Sequence, residues 1–256
     1  MKEIKKYLLR RKKTFESLIH DTQLTNTSVY YHKLHVEIKK LDALFNLIEY
    51  CVPEFKHKKT FKALKKISQL AGNIRELQIE ELSLKKYFKD NNLISYKNFL
   101  QKQNVKEQQK FYLFINESFI PKHKKLFNEV KRFIKKMDIK NVHAYLKKKE
   151  NKINKILDTK DLPKSMLHEL RKRLKLFYYT RKIIASKKEK KELYENDTLL
   201  KLLGQWHDKS IIAKHLKKAI SSCKLNEDEL LHLEKIRAKI AAAGEGLIGR
   251  INREMS

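Results

Sequence analysis

The chain has 256 residues, with 60 Lys and Arg against 30 Asp and Glu, a formal net charge of +30, and 41% hydrophobic residues. That apolar share supports a packed core and excludes a disordered polycation. The charge excess works against compactness by self-repulsion and draws in polyanions.

Five glycines and three prolines punctuate very little of a sequence dominated by Lys, Leu, Ile and Glu. That composition favours long helices. Residues 2–20 form a first helix, striped by Ile4, Tyr7, Leu8, Phe15, Leu18 and Ile19, with a basic cluster from Arg10 to Lys13. A polar loop offers Thr27 and Ser28 as N-caps for a second helix running to about Cys51, and Pro53 marks its end. A third helix spans 57–88 through Phe61, Leu64, Ile67 and Leu70, with Gly72 as a possible break and added charge from Lys62, Lys65 and Lys66. Residues 90–92 read as a turn. The Gln- and Lys-rich stretch 93–120 has a weak stripe of Phe99, Phe111, Phe114 and Ile115. Pro121 opens the next helix, striped by Leu126, Phe127, Val130, Phe133 and Ile134. The join around Asp138 divides the chain into halves 1–137 and 138–256. A Lys-rich helix over 140–157 follows, then one entered at Pro163 and running to about Ser186. A helix from Asn196 carries Leu199, Leu202, Leu203 and Ile211. The last begins at the acidic run 226–229, which suits a helix dipole, and continues through Leu230, Leu233, Ile236 and Ile240. Its small-residue run 241–246 is either a packing site or a frayed end.

Two of these helices share an unusual pattern. On the second, Leu34, Ile38, Leu41, Phe45 and Ile48 fall in one arc, while His32, His35, Lys39 and Lys40 fall across from it, with Glu37 the nearby carboxylate. An ordinary surface face mixes both signs. Four cationic or potentially cationic groups side by side repel, and an anion against them would explain the arrangement. The pattern returns with Leu170, Leu174 and Phe177 on one side and His168, Arg171, Lys172 and Lys175 on the other, Tyr179 among them. Each helix is followed by a Leu-x-Gly or Leu-Gly element. Aligning Gly72 with Gly204 sets Arg75 against His207 and Glu76 against Asp208. The chain reads as a long internal duplication.

These residues resemble the CHAD family, the conserved histidine α-helical domain. That family carries a His, an Arg three residues on, a basic run on the same helix, and a later Leu-Gly element ending in Asp. His168, Arg171, Lys175 and Tyr179 match it well. In the first half His35 stands at the usual Arg, Lys39 and Lys40 at an Arg pair, Asp42 at a further Arg, and Glu76 at the Asp. The resemblance spans nearly the whole chain, taken as a single domain. It implies an all-α fold of two four-helix bundles related by a pseudo-two-fold, with a basic central groove or pore. It also implies binding of inorganic polyphosphate without catalysis and without a cofactor. The residues expected to bind are His32, His35, Lys39, Lys40, Lys65 and Arg75, then His168, Arg171, Lys172, Lys175, Tyr179 and His207.

The chemistry of these faces agrees. Arg forks onto phosphate oxygens, Lys supplies a mobile charge, and protonated His donates twice. Metal ligation fits poorly, because Lys39 would repel a cation beside His32 and His35, and Arg171 cannot ligate. His207-Asp208 is an isolated dipeptide, and no phosphate-loop glycine pattern or Gly-x-Ser-x-Gly is present. Two alternatives stand beside the binding reading. One is a nucleic-acid-binding protein, in which Tyr30, Tyr31, Tyr178 and Tyr179 would stack bases and other polyanions such as RNA or DNA would bind non-specifically. The other is a phosphohydrolase acting on polyphosphate, which needs a carboxylate metal cluster. Cys51 and Cys223 are expected as free thiols. The charged first thirteen residues lack the apolar core of a secretory signal, and no apolar run spans a membrane. The expected location is cytoplasmic, including association with polyphosphate granules. Oligomeric state, chain-length preference and biological role stay open.

Overall fold

The computed structural model describes residues 2–20, 28–85, 87, 93–120, 123–159, 162–185, 189, 198–223 and 225–255. Among these residues every regular element is helical, so the all-α expectation holds. The helices are α1 (Lys2–His20), α2 (Ser28–Cys51), α3 (His57–Thr60), α4 (Lys62–Leu84), α5 (Ile94–Leu113), a π-helical turn (Phe114–Phe119), α6 (His123–Ile134), α7 (Ile139–Leu157), α8 (Lys164–Ile184), α9 (Thr198–Ser222) and α10 (Glu227–Met255). The proposed caps at Thr27 and the Ser28 side chain, the turn at 90–92, the start at Pro121, and positions 186 and 196 lie outside the described residues.

The chain forms two compact units, and each draws on both sequence halves. Unit one comprises residues 1–72 and 110–197, and unit two comprises 73–109 and 198–256. In unit one, α2 packs against α1, α3, α6, α7 and α8. Its core is aromatic. Phe15 meets Phe119 edge-on at 5.5 Å between ring centroids, Phe45 meets Phe55 at 5.6 Å, and Tyr31 meets Phe111 at 5.4 Å. Such edge-to-face pairs add about 0.5–1.5 kcal/mol each beyond the area they bury. In unit two, the end of α4, most of α5, α9 and α10 share one core. Leu84, Tyr96, Leu100, Ile212, Leu216, Leu233 and Ile236 are buried in it.

Several details depart from the expected pattern for physical reasons. The helix over 57–88 pauses at Phe61 rather than at Gly72, and α4 runs through Gly72 unbroken. An added Cβ at Gly72 would make only ordinary contact with His35, 3.6 Å from its Nδ1, so space alone does not force a glycine there. The weak stripe of α5 reflects divided duty. Tyr96 and Leu100 serve the core of unit two, whereas Phe111 packs on Tyr30 and Tyr31 in unit one. One helix serving two cores has no single apolar face.

The caps are local and clear. Asp138 accepts a hydrogen bond from the Lys140 amide at the start of α7, 3.1 Å, and Asn226 accepts one from the Glu229 amide at the start of α10, 2.7 Å. Side-chain caps of this kind are worth about 1 kcal/mol. Pro163 is the N-cap residue of α8, one position ahead of the first helical turn. The run 241–246 lies inside α10, where Gly244 is buried against the Cβ of Lys209, so it packs rather than frays.

Candidate functional site

The two histidine helices belong to the same unit and pack directly against one another. On α2 the whole expected arc, Leu34, Ile38, Leu41, Phe45 and Ile48, is buried. So are Tyr30, Tyr31, Ala43, Leu44 and Leu47. The helix is therefore central, with a narrow polar strip rather than two equal faces, because helices surround it. His32 and Lys39 are exposed on that strip, and His35 and Lys40 are half-buried.

Each of these groups is positioned differently. His35 Nδ1–H donates to the Ser68 carbonyl of α4 at 3.1 Å, with Ser68 Oγ also 3.3 Å away. A carbonyl only accepts, so this contact places a proton on Nδ1. Lys40 Nζ lies 3.2 Å from Glu37, whose carboxylate is 2% exposed and also takes Arg11 Nη1 at 2.9 Å. Lys40 is therefore partly committed to neutralising Glu37. Asp42 accepts from His57 Nε2 at 2.9 Å. The cationic run on α2 ends there.

Arg11 of α1 was not among the expected site residues. Its guanidinium also lies 5.4 Å from the centroid of Tyr7. Burial pushes the Tyr7 phenol pKa upward, while the charges of Arg11, Glu37, Tyr179 and Arg10 act on it at closer or longer range. Tyr7 thus marks where α1, α2 and α8 converge. The basic cluster on α1 carried the signal, but only tertiary contact shows which member turns inward.

On α8 the core seam runs through Leu167, Leu170, Thr180 and Ile183, with Leu174 and Phe177 only half-buried. His168, Arg171, Lys175 and Tyr179 are half-buried and Lys172 is exposed. Burial, then Lys172 and Arg171, hold His168 below its usual pKa, with Glu169 pulling the other way. Glu169 is itself held low by its hydrogen bond from Arg173 Nε, 2.8 Å. The surroundings therefore favour the neutral form of the His168 ring. Lys182 Nζ sits 4.1 Å over the Tyr178 ring.

The other three expected residues lie on α4 and α9. Lys65 is exposed on α4 and lines a groove with Lys59, Lys62 and Lys66. Arg75 and His207 belong to unit two and are half-buried. Burial lowers the Arg75 pKa and the Asp208 carboxylate works against that shift, so the two Leu-Gly elements come within electrostatic range. Neighbouring Glu76 lies 3.5 Å from His215 Nε2. His215 Nδ1 lies 2.8 Å from Glu80, which is fully buried and accepts a hydrogen bond from Tyr96. The carboxylates raise His215 to about 9.

Among the described residues, no group of three His, Cys, Asp or Glu side chains gathers as a metal site would require. No described helix is long and apolar enough to cross a membrane. Among the described residues neither Cys51 nor Cys223 is in a disulfide, and burial pushes the Cys51 thiol up to about 11.

An all-helical protein with two basic histidine helices packed together is the class these features define. The CHAD domain family matches residues 18–217, and the chain belongs to that family. The fold is similar to that of PptA from Streptomyces chartreusis, with a TM-score of 0.74 at 10% identity over 98% of this chain and 97% of that one. It is also similar to the CHAD domain from the plant Ricinus communis, with a TM-score of 0.73 at 12% identity over 97% of this chain and 87% of that one. Identities this low speak to the fold alone. A comparison with curated proteins gives no match.

Proposed function

We propose that the chain binds inorganic polyphosphate, without turnover, on the surface made by α2 and α8. The observation that carries this reading is the direct packing of the two helices within one unit, each bringing histidine and basic side chains. His32, His35, Lys39, His168, Arg171, Lys172 and Lys175 are the residues assigned to it. Polyphosphate is the ligand that family membership implies. It carries charge on every unit and acceptor oxygens all round, which suits a mixed set of forks, point charges and imidazoles. Of the four tyrosines the nucleic-acid reading would use to stack bases, Tyr30 and Tyr31 are buried core residues, whereas Tyr178 and Tyr179 are half-buried.

The test is a competition titration at physiological salt. Labelled long-chain polyphosphate is displaced with single-stranded RNA, duplex DNA, pyrophosphate and orthophosphate. Polyphosphate should win by about two orders of magnitude over nucleic acid per charge and be recovered unhydrolysed, because sequence-independent charge binding alone gives no such preference. Equal competition would make the chain a general polyanion binder. Recovery of shortened chains would make it a hydrolase.

Binding should also take up protons. Burial and its cationic neighbours hold the His168 pKa down and favour its neutral form. A phosphate chain against the ring favours the imidazolium. Affinity should therefore rise as pH falls from 8 towards 6. Calorimetry in two buffers of different ionisation heat measures the uptake directly, and it should shrink in His168→Gln. A flat pH profile would remove His168 from the site.

A further inference from the structure

A second surface of unit one has chemistry that the phosphate reading does not use. A groove of about 800 Å³ runs along α3 and α4, closed on the other side by the π-helical turn and α6. Its rim carries Lys59, Lys62, Lys65, Lys66 and Lys125 against a single described carboxylate, Glu129. Its floor is apolar, with Phe114 and Leu126 half-buried and Phe119 almost wholly buried. The π-helical turn explains the floor. Residues five apart on an α-helix point about 140° apart, whereas a π turn closing i to i+5 brings them to roughly 50°. Phe114 and Phe119 thereby both line the groove, Phe119 while also packing edge-on against Phe15 in the core. The Ile120 amide bonds the Ile115 carbonyl at 3.0 Å, the spacing of that turn.

We infer that this groove docks an acidic amphipathic helix of a partner protein. A bare phosphate chain would leave the apolar floor wet, so the lysine rim alone does not describe the site. A helix laid in a groove presents apolar anchors at i, i+3, i+4 and i+7 to such a floor, and acidic flanks would meet the lysines on both sides. The lining from Lys59 to Gln69 covers about 15 Å of helix at 1.5 Å per residue, or about three turns of an incoming helix. The charge complementarity predicts fast, salt-sensitive association, and the floor supplies the anchors that select a sequence. Apart from Lys65, no groove residue is among those expected to bind phosphate, and none lies on α2 or α8.

The experiment uses the full chain and a labelled synthetic helix of about 12 residues, with leucines at i, i+3, i+4 and i+7 flanked by glutamates, read by fluorescence anisotropy. The comparators are a scrambled peptide of identical composition, long-chain polyphosphate and anionic phospholipid vesicles. The patterned peptide should bind about 10-fold or more tighter than the scrambled one, and Lys62→Glu with Lys66→Glu should weaken it by at least about 10-fold. Ala63→Trp, which fills the groove, should weaken it with the charges intact. Alanines at His168, Arg171 and Lys175 should leave peptide binding unchanged. Equal binding of the scrambled peptide overturns the inference, leaving a groove that reads only charge. Charge-reversal variants that lose polyphosphate or vesicle binding but keep the peptide also overturn it, assigning the lysines to a phosphate chain or a lipid surface.

Discussion

Replacing His168, Arg171 and Lys175 together with Ala is expected to weaken polyphosphate binding by about 100-fold or more, with the fold intact. Hydrogen bonds to charged groups contribute about 1.5–3 kcal/mol each, and neighbouring losses overlap, so about 3–4 kcal/mol is a conservative sum. The three side chains are half-buried, where charge is less screened than on an open surface. The salt dependence should become shallower, since two fewer permanent cations release counterions. Lys148→Ala is the control, because Lys148 sits over the Tyr50 ring at 5.2 Å on an exposed part of α7. Thermal unfolding separates the alternatives. A binding face that repels itself should leave Tm unchanged or slightly higher when its charges are removed, whereas a structural face should lower it. Unchanged affinity, or a Tm loss equal to that of a core variant, would end the assignment.

The helices were legible because their apolar residues keep a helical period over many turns. The stripe on α1 was read residue by residue, and all six of its members are buried. The two histidine helices were legible because charge imbalance on one face needs no tertiary information. What the sequence could not carry was division of labour. It could not show that α5 serves two cores, or that α4 contributes Leu64 and Ile67 to unit one and Leu84 to unit two. Nor could it show that Lys40 faces Glu37, that Arg11 joins from α1, or that Lys65 lines a groove with Lys59 and Lys125. These depend on which helix lies alongside, and residue spacing is silent about neighbours. Glu76 and Glu80 offered a weaker signal. Two carboxylates four apart share one helix face and repel. On so basic a chain they point to a cation supplied from another element, which the structure identifies as His215.

His215→Leu is expected to destabilise the unit-two bundle by about 3–5 kcal/mol, because it leaves Glu80 buried without its cation. Glu80 is 0% exposed, and Tyr96 would remain as its hydrogen-bond donor. The wild type should show the link through pH. Hydrogen bonds donated by the His215 ring to Glu76 and Glu80 raise its pKa from 6.5 to about 9. A group raised on folding contributes its full stabilisation below the unfolded value and loses it as pH rises through the folded one. Stability should therefore fall between about pH 6.5 and 9.5, and the slope should flatten in the variant. Urea unfolding across that range, with amide exchange on α4, α5, α9 and α10, measures both effects. Adding Glu80→Gln to His215→Leu should recover much of the loss, since the double variant buries no charge. A variant as stable as the wild type would show that Glu80 is content with Tyr96 alone. An unrescued double variant would show that the bundle needs the shape of the His215 ring rather than its charge.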